Sequence, residues 1–293
     1  MLKSIDPATG RELASFKEHD AAAVEAAIAK AYDVRHGWRD AGIEHRTQLL
    51  RSVAGVLRAD KERYASILTA EMGKPIVEAE GEVEKCAWTA GWIADNAARL
   101  LADQPIDSTA TRSYVRFQPL GVVLAVMPWN FPFWQAFRAG LPALAAGNVM
   151  LLKHASNVPQ AALAIEEVFK EAGVPDGVFQ TLLIGSAAVD AIIADRRVAG
   201  VTLTGSDAAG VHVAQTAGKE LKKSVLELGG SDPFVVLEDA DVTLAATVAC
   251  RARNQNNGQS CIAAKRFIVV DEVADEFAQK FASAVGALKV GDP

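Results

Sequence analysis

The stretch Gly-Val-Val-Leu-Ala-Val-Met-Pro-Trp-Asn-Phe-Pro, residues 121–132, decides the fold prediction. Its first half, Gly121–Val126, is a continuous apolar run, which is typical of a strand buried on both faces of a parallel sheet. Its second half holds an amide side chain between two prolines, and a helical pattern follows over Pro132–Leu144. The stretch therefore predicts a strand, a restrained turn and a helix in direct succession.

The same alternation continues toward the carboxyl end of the chain. Four further apolar segments predict strands over Asn148–Leu152, Val178–Leu183, Val201–Leu203 and Val225–Glu227. Helical patterns lie between them, over Pro159–Ala172, Ala187–Ala194 and Ala208–Ala217. Apolar strands separated by helices predict an α/β fold with a doubly wound, Rossmann-like parallel sheet.

The region before this sheet has the periodicity of helices. Asp20 is a candidate N-cap for the first of them. Three more helices are predicted over 46–60, 61–72 and 76–101. Trp88 and Trp92 lie one turn apart in the last helix, and we expect both rings in the hydrophobic core.

Composition excludes several classes of function. The chain has 293 residues, half of them hydrophobic, and a net charge of −6, so it offers no basic patch for nucleic acid. Cys86, Cys250 and Cys261 are too few and too scattered for a disulfide framework or a zinc site, which favours a reducing cytoplasm. We also expect no signal peptide and no membrane span, because the apolar runs are too short.

Two of the predicted strands end in polar side chains that suit a ligand, since open parallel sheets bind ligands beyond the carboxyl ends of their strands. Asn130 follows the first strand, where its amide can donate to a developing oxyanion or cap the next helix. Lys153 follows the second strand, where it can reach ribose hydroxyls or phosphates unless it is a solvated surface lysine.

The later strands end in a Gly-Ser turn and in a carboxylate. Gly205 and Ser206 open a helix and have the form of a phosphate cradle, with free backbone N–H groups and a hydroxyl. This signal is weak, because the chain has neither a Walker A loop nor a Gly-x-Gly-x-x-Gly fingerprint. Glu227 is a candidate general base; the alternatives are an N-cap and an ion-pair partner.

Cys261 follows the polar loop Asn254–Ser260 and precedes a strand-like segment. An exposed thiol at the end of such a loop is a candidate nucleophile. Most lone cysteines are instead small buried hydrophobic residues, so the loop alone leaves both alternatives open.

Together these segments resemble the aldehyde dehydrogenase superfamily. The resemblance rests on Pro-Trp-Asn-Phe-Pro (128–132), Leu-Leu-Lys-His-Ala-Ser (151–156), Thr-Gly-Ser (204–206), Glu-Leu-Gly-Gly (227–230) and Asn-Gly-Gln-Ser-Cys (257–261). Each motif is weak alone, but their common order and spacing are specific, and the resemblance covers the whole chain. The branch it resembles most is that of the bacterial NAD(P)-linked succinate semialdehyde dehydrogenases.

The resemblance implies oxidation of an aldehyde without a metal. The Cys261 thiolate would attack the aldehyde carbon, and the amide of Asn130 and the backbone N–H of Cys261 would hold the oxyanion. Hydride transfer to the nicotinamide would leave a thioester, and Glu227 would activate the water that hydrolyses it.

The resemblance also implies a set of cofactor-binding residues: Trp129, Lys153, Ser156, Gly205, Ser206 and Leu228. Family members restricted to NAD commonly have a glutamate in the place of Ser156. Because Ser156 is small and neutral, a 2′-phosphate would meet no carboxylate there and could pair with Lys153. We therefore expect the cofactor to be NADP or NAD, with NADP used at least as well.

Arg138 is the predicted substrate-binding residue. It lies about two helical turns beyond Asn130 and matches an arginine that holds the distal carboxylate in the succinate semialdehyde branch. The alternative is a structural ion pair. Gln255 replaces a second arginine of some relatives, so we expect a weaker grip or a broader substrate range. Ala263 replaces a second cysteine, so we expect no disulfide switch.

The residue pattern and the resemblance together divide the chain into four parts. These are an N-terminal helical part of the cofactor-binding domain (1–104), an oligomerisation hairpin (105–119), a Rossmann-like NAD(P)-binding domain (120–228) and the start of a catalytic domain (229–293). Family members continue further, so we expect the chain to be C-terminally truncated.

Two functions stay open at this point. The first is an NAD(P)-dependent dehydrogenase of a small aldehyde, which forms a homo-oligomer, a dimer or tetramer, once the missing part is supplied. The second is an inert fragment that binds nucleotide or associates with full-length subunits.

Overall fold

The computed structural model describes residues 1–293 and divides into two compact units, Met1–Glu227 and Leu228–Pro293. The first unit begins with an antiparallel strand pair, β1 (Leu2–Ile5) and β2 (Glu12–Phe16). Four helices follow: α1 (Ala21–Asp40), α2 (Ile43–Ala59), α3 (Lys61–Met72) and α4 (Ile76–Leu100). The predicted N-cap is confirmed, because the Asp20 side chain accepts the backbone N–H of Ala23. None of the helices is both long and apolar enough to cross a membrane.

The prediction that Trp88 and Trp92 lie in the core is wrong: their side chains are 61% and 43% exposed. The buried stripe of α4 consists mainly of small residues, including Ala79, Ala87 and Ala94. Both tryptophans lie on the opposite face of the helix, since side chains on one face recur every three or four residues. The small stripe allows close packing against α2, and large rings are excluded from that contact.

A short hairpin leads from α4 to the main sheet. It consists of β3 (Gln104–Pro105) and β4 (Tyr114–Val115), which pair in antiparallel fashion. The predicted hairpin is therefore present, although its paired strands are only two residues long.

The main sheet has five parallel strands: β5 (Val122–Met127), β6 (Val149–His154), β7 (Phe179–Thr181), β8 (Val198–Thr204) and β9 (Lys223–Glu227). Their spatial order is β7-β6-β5-β8-β9. The connecting helices are α5 (Pro132–Ala145), α6 (Pro159–Glu171), α7 (Val189–Ala194, after a 3₁₀ turn) and α8 (Asp207–Lys219). This confirms the predicted doubly wound α/β sheet, with β5 and β8 as the neighbours from which the chain winds in opposite directions.

A row of aromatic side chains anchors α5 in the first unit. Phe133 and Phe137 project from α5 and lie with ring centroids 5.7 Å apart. Phe137 continues the row to Phe169 of α6 at 5.2 Å, and Phe169 stacks on Phe179 of β7 at 4.3 Å. Burial of each ring contributes about 1.5–3 kcal/mol. The helix that follows Asn130 is thus fixed along its length.

The second unit is a small α/β element with its own core. It contains β10 (Asp232–Val236), α9 (Val242–Asn254), β11 (Ala264–Val269) and α10 (Asp271–Gly286). The two strands pair in parallel. Val236, Val242, Ala246, Ala249 and Phe277 form the buried cluster between the strands and the helices.

Candidate active site

The carboxyl edge of the main sheet gathers most of the predicted site residues of the first unit. Asn130 lies in the turn after β5, Lys153 near the end of β6, and Glu227 at the end of β9. Gly205 and Ser206 follow β8. Because β5 and β8 are neighbours whose connections wind in opposite directions, this edge contains the crevice in which open α/β sheets bind ligands.

Asn130 occupies a restrained turn rather than a helix cap. The N-cap of α5 is Phe131, and Pro132 occupies the first helical position. The alternative that Asn130 caps this helix is therefore wrong. Asn130 is half-buried and the neighbouring Trp129 is exposed, so this turn reaches the surface of the protein.

Lys153 is a buried ammonium, so the alternative of a solvated surface lysine is wrong. Its side chain is only 7% exposed and makes no ion pair or hydrogen bond with another residue. Burial lowers the pKa of Lys153. A buried cation without a counter-ion costs free energy unless a ligand supplies oxygen atoms. Ser156, two residues beyond the end of β6, is exposed and polar.

The Gly205-Ser206 turn differs from the predicted cradle. The N–H of Gly205 is not free, because it donates to the backbone C=O of Glu227 at 3.0 Å. Ser206 is the N-cap of α8, and its hydroxyl accepts the N–H of Ala209 at 3.3 Å. What the turn offers an anion is therefore the positive end of α8 and the exposed Ser206 hydroxyl, rather than a glycine amide.

Arg138 and Glu227 face each other across this edge. Arg138 Nη1 lies 3.3 Å from Glu227 Oε2, and Nη2 donates to the Thr204 hydroxyl at 3.3 Å. A structural ion pair was the alternative interpretation for Arg138 and also for Glu227. The structure shows such a pair, and it joins these two residues to each other. Both side chains remain partly exposed, which leaves them accessible to a ligand.

His154 is a site residue that the sequence arguments missed. Its ring is buried, its Nδ1 accepts the N–H of Ala155 at 2.8 Å, and its Nε2 donates to the C=O of Pro132 at 2.9 Å. Burial lowers the pKa of His154 to about 4, although the bond to Pro132 opposes this shift. The neutral ring therefore ties the end of β6 to the turn that contains Asn130.

Cys261 lies in the second unit, after a tightly bent loop. Asn256, Asn257 and Gly258 have φ values of 55°, 55° and 74°. Asparagine and glycine tolerate this left-handed region, which explains the Asn-Asn-Gly sequence. Cys261 is half-buried rather than fully buried, and the chain keeps all three of its cysteines as thiols.

Lys265 fixes the backbone of the Cys261 loop and was also missed from the sequence. Its ammonium donates to the carbonyl oxygens of Gly230 (2.8 Å), Ser260 (3.1 Å) and Cys261 (2.8 Å). Gln255 donates to the Ser260 hydroxyl at 3.3 Å from the other side. Leu228, a predicted cofactor-binding residue, is half-buried in the segment that follows β9.

Residues 1–293 match the aldehyde dehydrogenase family. The chain belongs to that family. The polar residues at or after the ends of four strands lie together because those strands run parallel in one sheet.

Individual relatives extend the comparison. A probable NADP(+)-linked succinate-semialdehyde dehydrogenase of Synechocystis sp. is 53% identical over 292 residues, covering all of this chain and 64% of its own length. A succinate-semialdehyde dehydrogenase [NADP(+)] of Mycobacterium avium is 52% identical over 299 residues, covering all of this chain and 63% of its own length. This chain thus spans less than two thirds of the length of the curated relatives it matches.

A solved structure gives the same fold. The crystal structure of succinic semialdehyde dehydrogenase from Streptococcus pyogenes in complex with NADP+ superposes with a TM-score of 0.97 at 40% identity. The match covers 100% of this chain and 65% of the other.

Proposed function

We propose that this protein is an aldehyde dehydrogenase that oxidises succinate semialdehyde to succinate with NADP as the cofactor and NAD as the alternative. The similarity to succinate-semialdehyde dehydrogenases supports this activity. The observation that carries the proposal is the contact of Arg138 with Glu227. Arg138 is the proposed cation for the distal carboxylate of the substrate, and Glu227 is the proposed general base. Their side chains are close enough for one small substrate to contact both.

The residues of the first unit fit an anionic dinucleotide. The unpaired, buried Lys153 can donate to ribose hydroxyls or to a 2′-phosphate, and Ser156 presents no carboxylate that would repel the phosphate. Ser206 at the start of α8 suits the pyrophosphate, because a helix N-terminus attracts negative charge. Trp129, Gly205 and Leu228 remain predicted contacts. When bound, the nicotinamide supplies the acceptor for a hydride.

The side chains of this chain account for the remaining chemistry. The Cys261 thiolate adds to the aldehyde carbon, and the new alkoxide accepts hydrogen bonds from the Asn130 amide and the Cys261 N–H. Loss of hydride from that carbon gives a thioester on Cys261. Glu227 then takes a proton from water, the resulting hydroxide attacks the thioester carbon, and succinate leaves as the thiolate is restored.

Assembly and location belong to the same proposal. The β3–β4 hairpin exposes Ile106, Val115 and Phe117, which supports its role as an arm in a homo-oligomer. The division into cofactor-binding, hairpin and catalytic parts stays a prediction, as does the cytoplasmic location.

The substrate specificity of the chain tests the proposal. We expect NADPH formation with a kcat/KM at least about tenfold higher for succinate semialdehyde than for butanal, which has the same carbon chain without the carboxylate. Equal values for the two aldehydes would reject the proposed substrate class. Turnover of neither aldehyde, with NADP still bound, would reject the activity.

A further inference from the structure

A buried ion pair lies under the turn that contains Asn130. Lys74 is in the turn between α3 and α4, Glu82 is on α4, and their side chains are 0% and 2% exposed. Burying two opposite charges is a poor route to stability, because the loss of hydration offsets most of their attraction. The pair therefore calls for a role other than stability alone.

Both members of the pair contact the segment that follows Asn130. Glu82 accepts the backbone N–H of Trp134 at 2.9 Å, and the Lys74 ammonium lies 4.3 Å from the centroid of the Phe131 ring. Trp134 is the third residue of α5, so its N–H is one of the donors that a helix leaves without an internal partner. Glu82 thus replaces the side-chain cap that Phe131 cannot provide.

The sheet also holds this segment. His154, at the end of β6, donates to the C=O of Pro132. Phe131, Pro132 and Trp134 are therefore each bound to a different group, and these groups come from the helical layer and from the sheet. Asn130 comes immediately before these three anchored residues in the sequence.

We propose that the Lys74–Glu82 pair is a positioning device that holds the Asn130 turn in the orientation needed to stabilise the oxyanion. This inference rests on the proposed function of Asn130. A catalytic donor has to be held within about 0.5 Å of its productive geometry, and a misplacement of about 1 Å can lower the rate by about 100-fold. Lys74 and Glu82 do not contact the substrate; they act through Phe131 and Trp134.

The test uses a charge-neutral double variant, because removal of one partner alone would leave an unpaired buried charge. In Lys74→Met/Glu82→Leu both charges and the cap are lost. In Lys74→Met/Glu82→Gln the charges are lost but the amide oxygen can still accept the N–H of Trp134. The matched control is Lys85→Met on the same helix, which removes an exposed ammonium 3.8 Å from the Trp134 ring and leaves the pair intact.

Two readouts separate positioning from simple structural support. With succinate semialdehyde and NADP we expect kcat of the Met/Leu variant to fall by about 100-fold, with the KM and the affinity for NADP unchanged. The Gln variant should recover at least about tenfold of this loss, and the control should match the wild type. Amide hydrogen exchange over residues 131–135 should accelerate by at least about tenfold in the Met/Leu variant, while exchange in the five-stranded sheet stays unchanged.

The kinetic and exchange results together decide whether the Lys74–Glu82 pair positions the Asn130 turn. Unchanged exchange in the folded Met/Leu variant, or faster exchange with an unchanged kcat, would overturn the inference. A wild-type chain that does not turn over would reject the proposed function by itself. In that case the exchange rates alone would decide whether the pair holds the turn.

Discussion

Arg138 and Glu227 form an ion pair of 3.3 Å between Nη1 and Oε2, so the predicted substrate anchor and the predicted general base neutralise each other. The pair is weak, because both side chains are partly exposed and such pairs contribute only about 0–1 kcal/mol. A substrate carboxylate can therefore exchange with Glu227 on the arginine at little cost. If Arg138 binds the substrate carboxylate as proposed, Glu227 loses its ion-pair partner when substrate binds.

Replacement of Arg138 tests this relationship. In Arg138→Leu we expect the KM for succinate semialdehyde to rise by about 10- to 100-fold, since a charge-assisted hydrogen bond to the substrate is lost. The KM for butanal, which has no carboxylate, should stay within about twofold. Steady-state kinetics with both aldehydes make this comparison. An equal rise for the two would contradict a role in carboxylate binding.

A carboxylate in the place of Ser156 should reverse the choice of cofactor. In Ser156→Glu we expect the Kd for NADP to rise by about 10- to 100-fold, because the glutamate repels the 2′-phosphate, while the Kd for NAD changes little. Equilibrium titration of each nucleotide measures the effect. Asn157→Glu is the control, since it adds the same charge at the next exposed residue. If the Kd for NADP rises equally in both variants, Ser156 has no specific role in the choice of cofactor.

The buried His154 predicts how stability depends on pH. The pKa of His154 falls from an ordinary 6.5 in the unfolded chain to about 4 in the folded chain. Between these two pH values the unfolded chain binds a proton on His154 and the folded chain does not. Stability from this group is thus complete above pH 6.5 and is lost as the pH falls toward 4. Between pH 7 and pH 5 the loss is about 2 kcal/mol of the free energy of unfolding.

His154→Gln isolates that effect, because glutamine does not titrate and keeps a donor for Pro132. Urea unfolding at pH 7 and pH 5 should show a drop that is smaller in the variant by about 2 kcal/mol. The same drop in both proteins would mean that His154 titrates normally in the folded state.

The fold was largely predictable because its strands are short apolar runs with helices between them. The five strands from Val122 to Glu227 lie where the pattern indicates, with ends shifted by a few residues. Trp88 and Trp92 of α4 were wrongly predicted to be buried because the prediction relied on the hydrophobicity of their rings. It did not consider the spacing of the small residues along the helix. Ala79, Ala87 and Ala94 mark the buried face, and a periodicity count over α4 would have found it.

Candidate site residues could be proposed from the sequence only where they lie at or shortly after the carboxyl end of a strand. Lys153 and Glu227 lie in the last two residues of β6 and β9, and Asn130 lies in the turn after β5. Lys74, Glu82 and Lys265 do not lie at such ends. Glu82 and Lys265 bind backbone groups, and Lys74 pairs with Glu82 and lies over the Phe131 ring. No spacing rule connects a lysine in the α3–α4 turn with a phenylalanine 57 residues later. Such contacts appear only when the helical layer is folded onto the sheet.

NADPH formation by the purified chain with succinate semialdehyde shows directly whether Cys261 is the nucleophile of an aldehyde dehydrogenase. The wild type and two variants are compared: Cys261→Ala, and Cys250→Ala as a control that removes a buried thiol of α9. We expect turnover by the wild type and the control, and a loss of at least about 10⁴-fold in Cys261→Ala, because the other two thiols, Cys86 and Cys250, are buried. Turnover by Cys261→Ala at the wild-type rate, or none by any of the three proteins, would contradict this expectation.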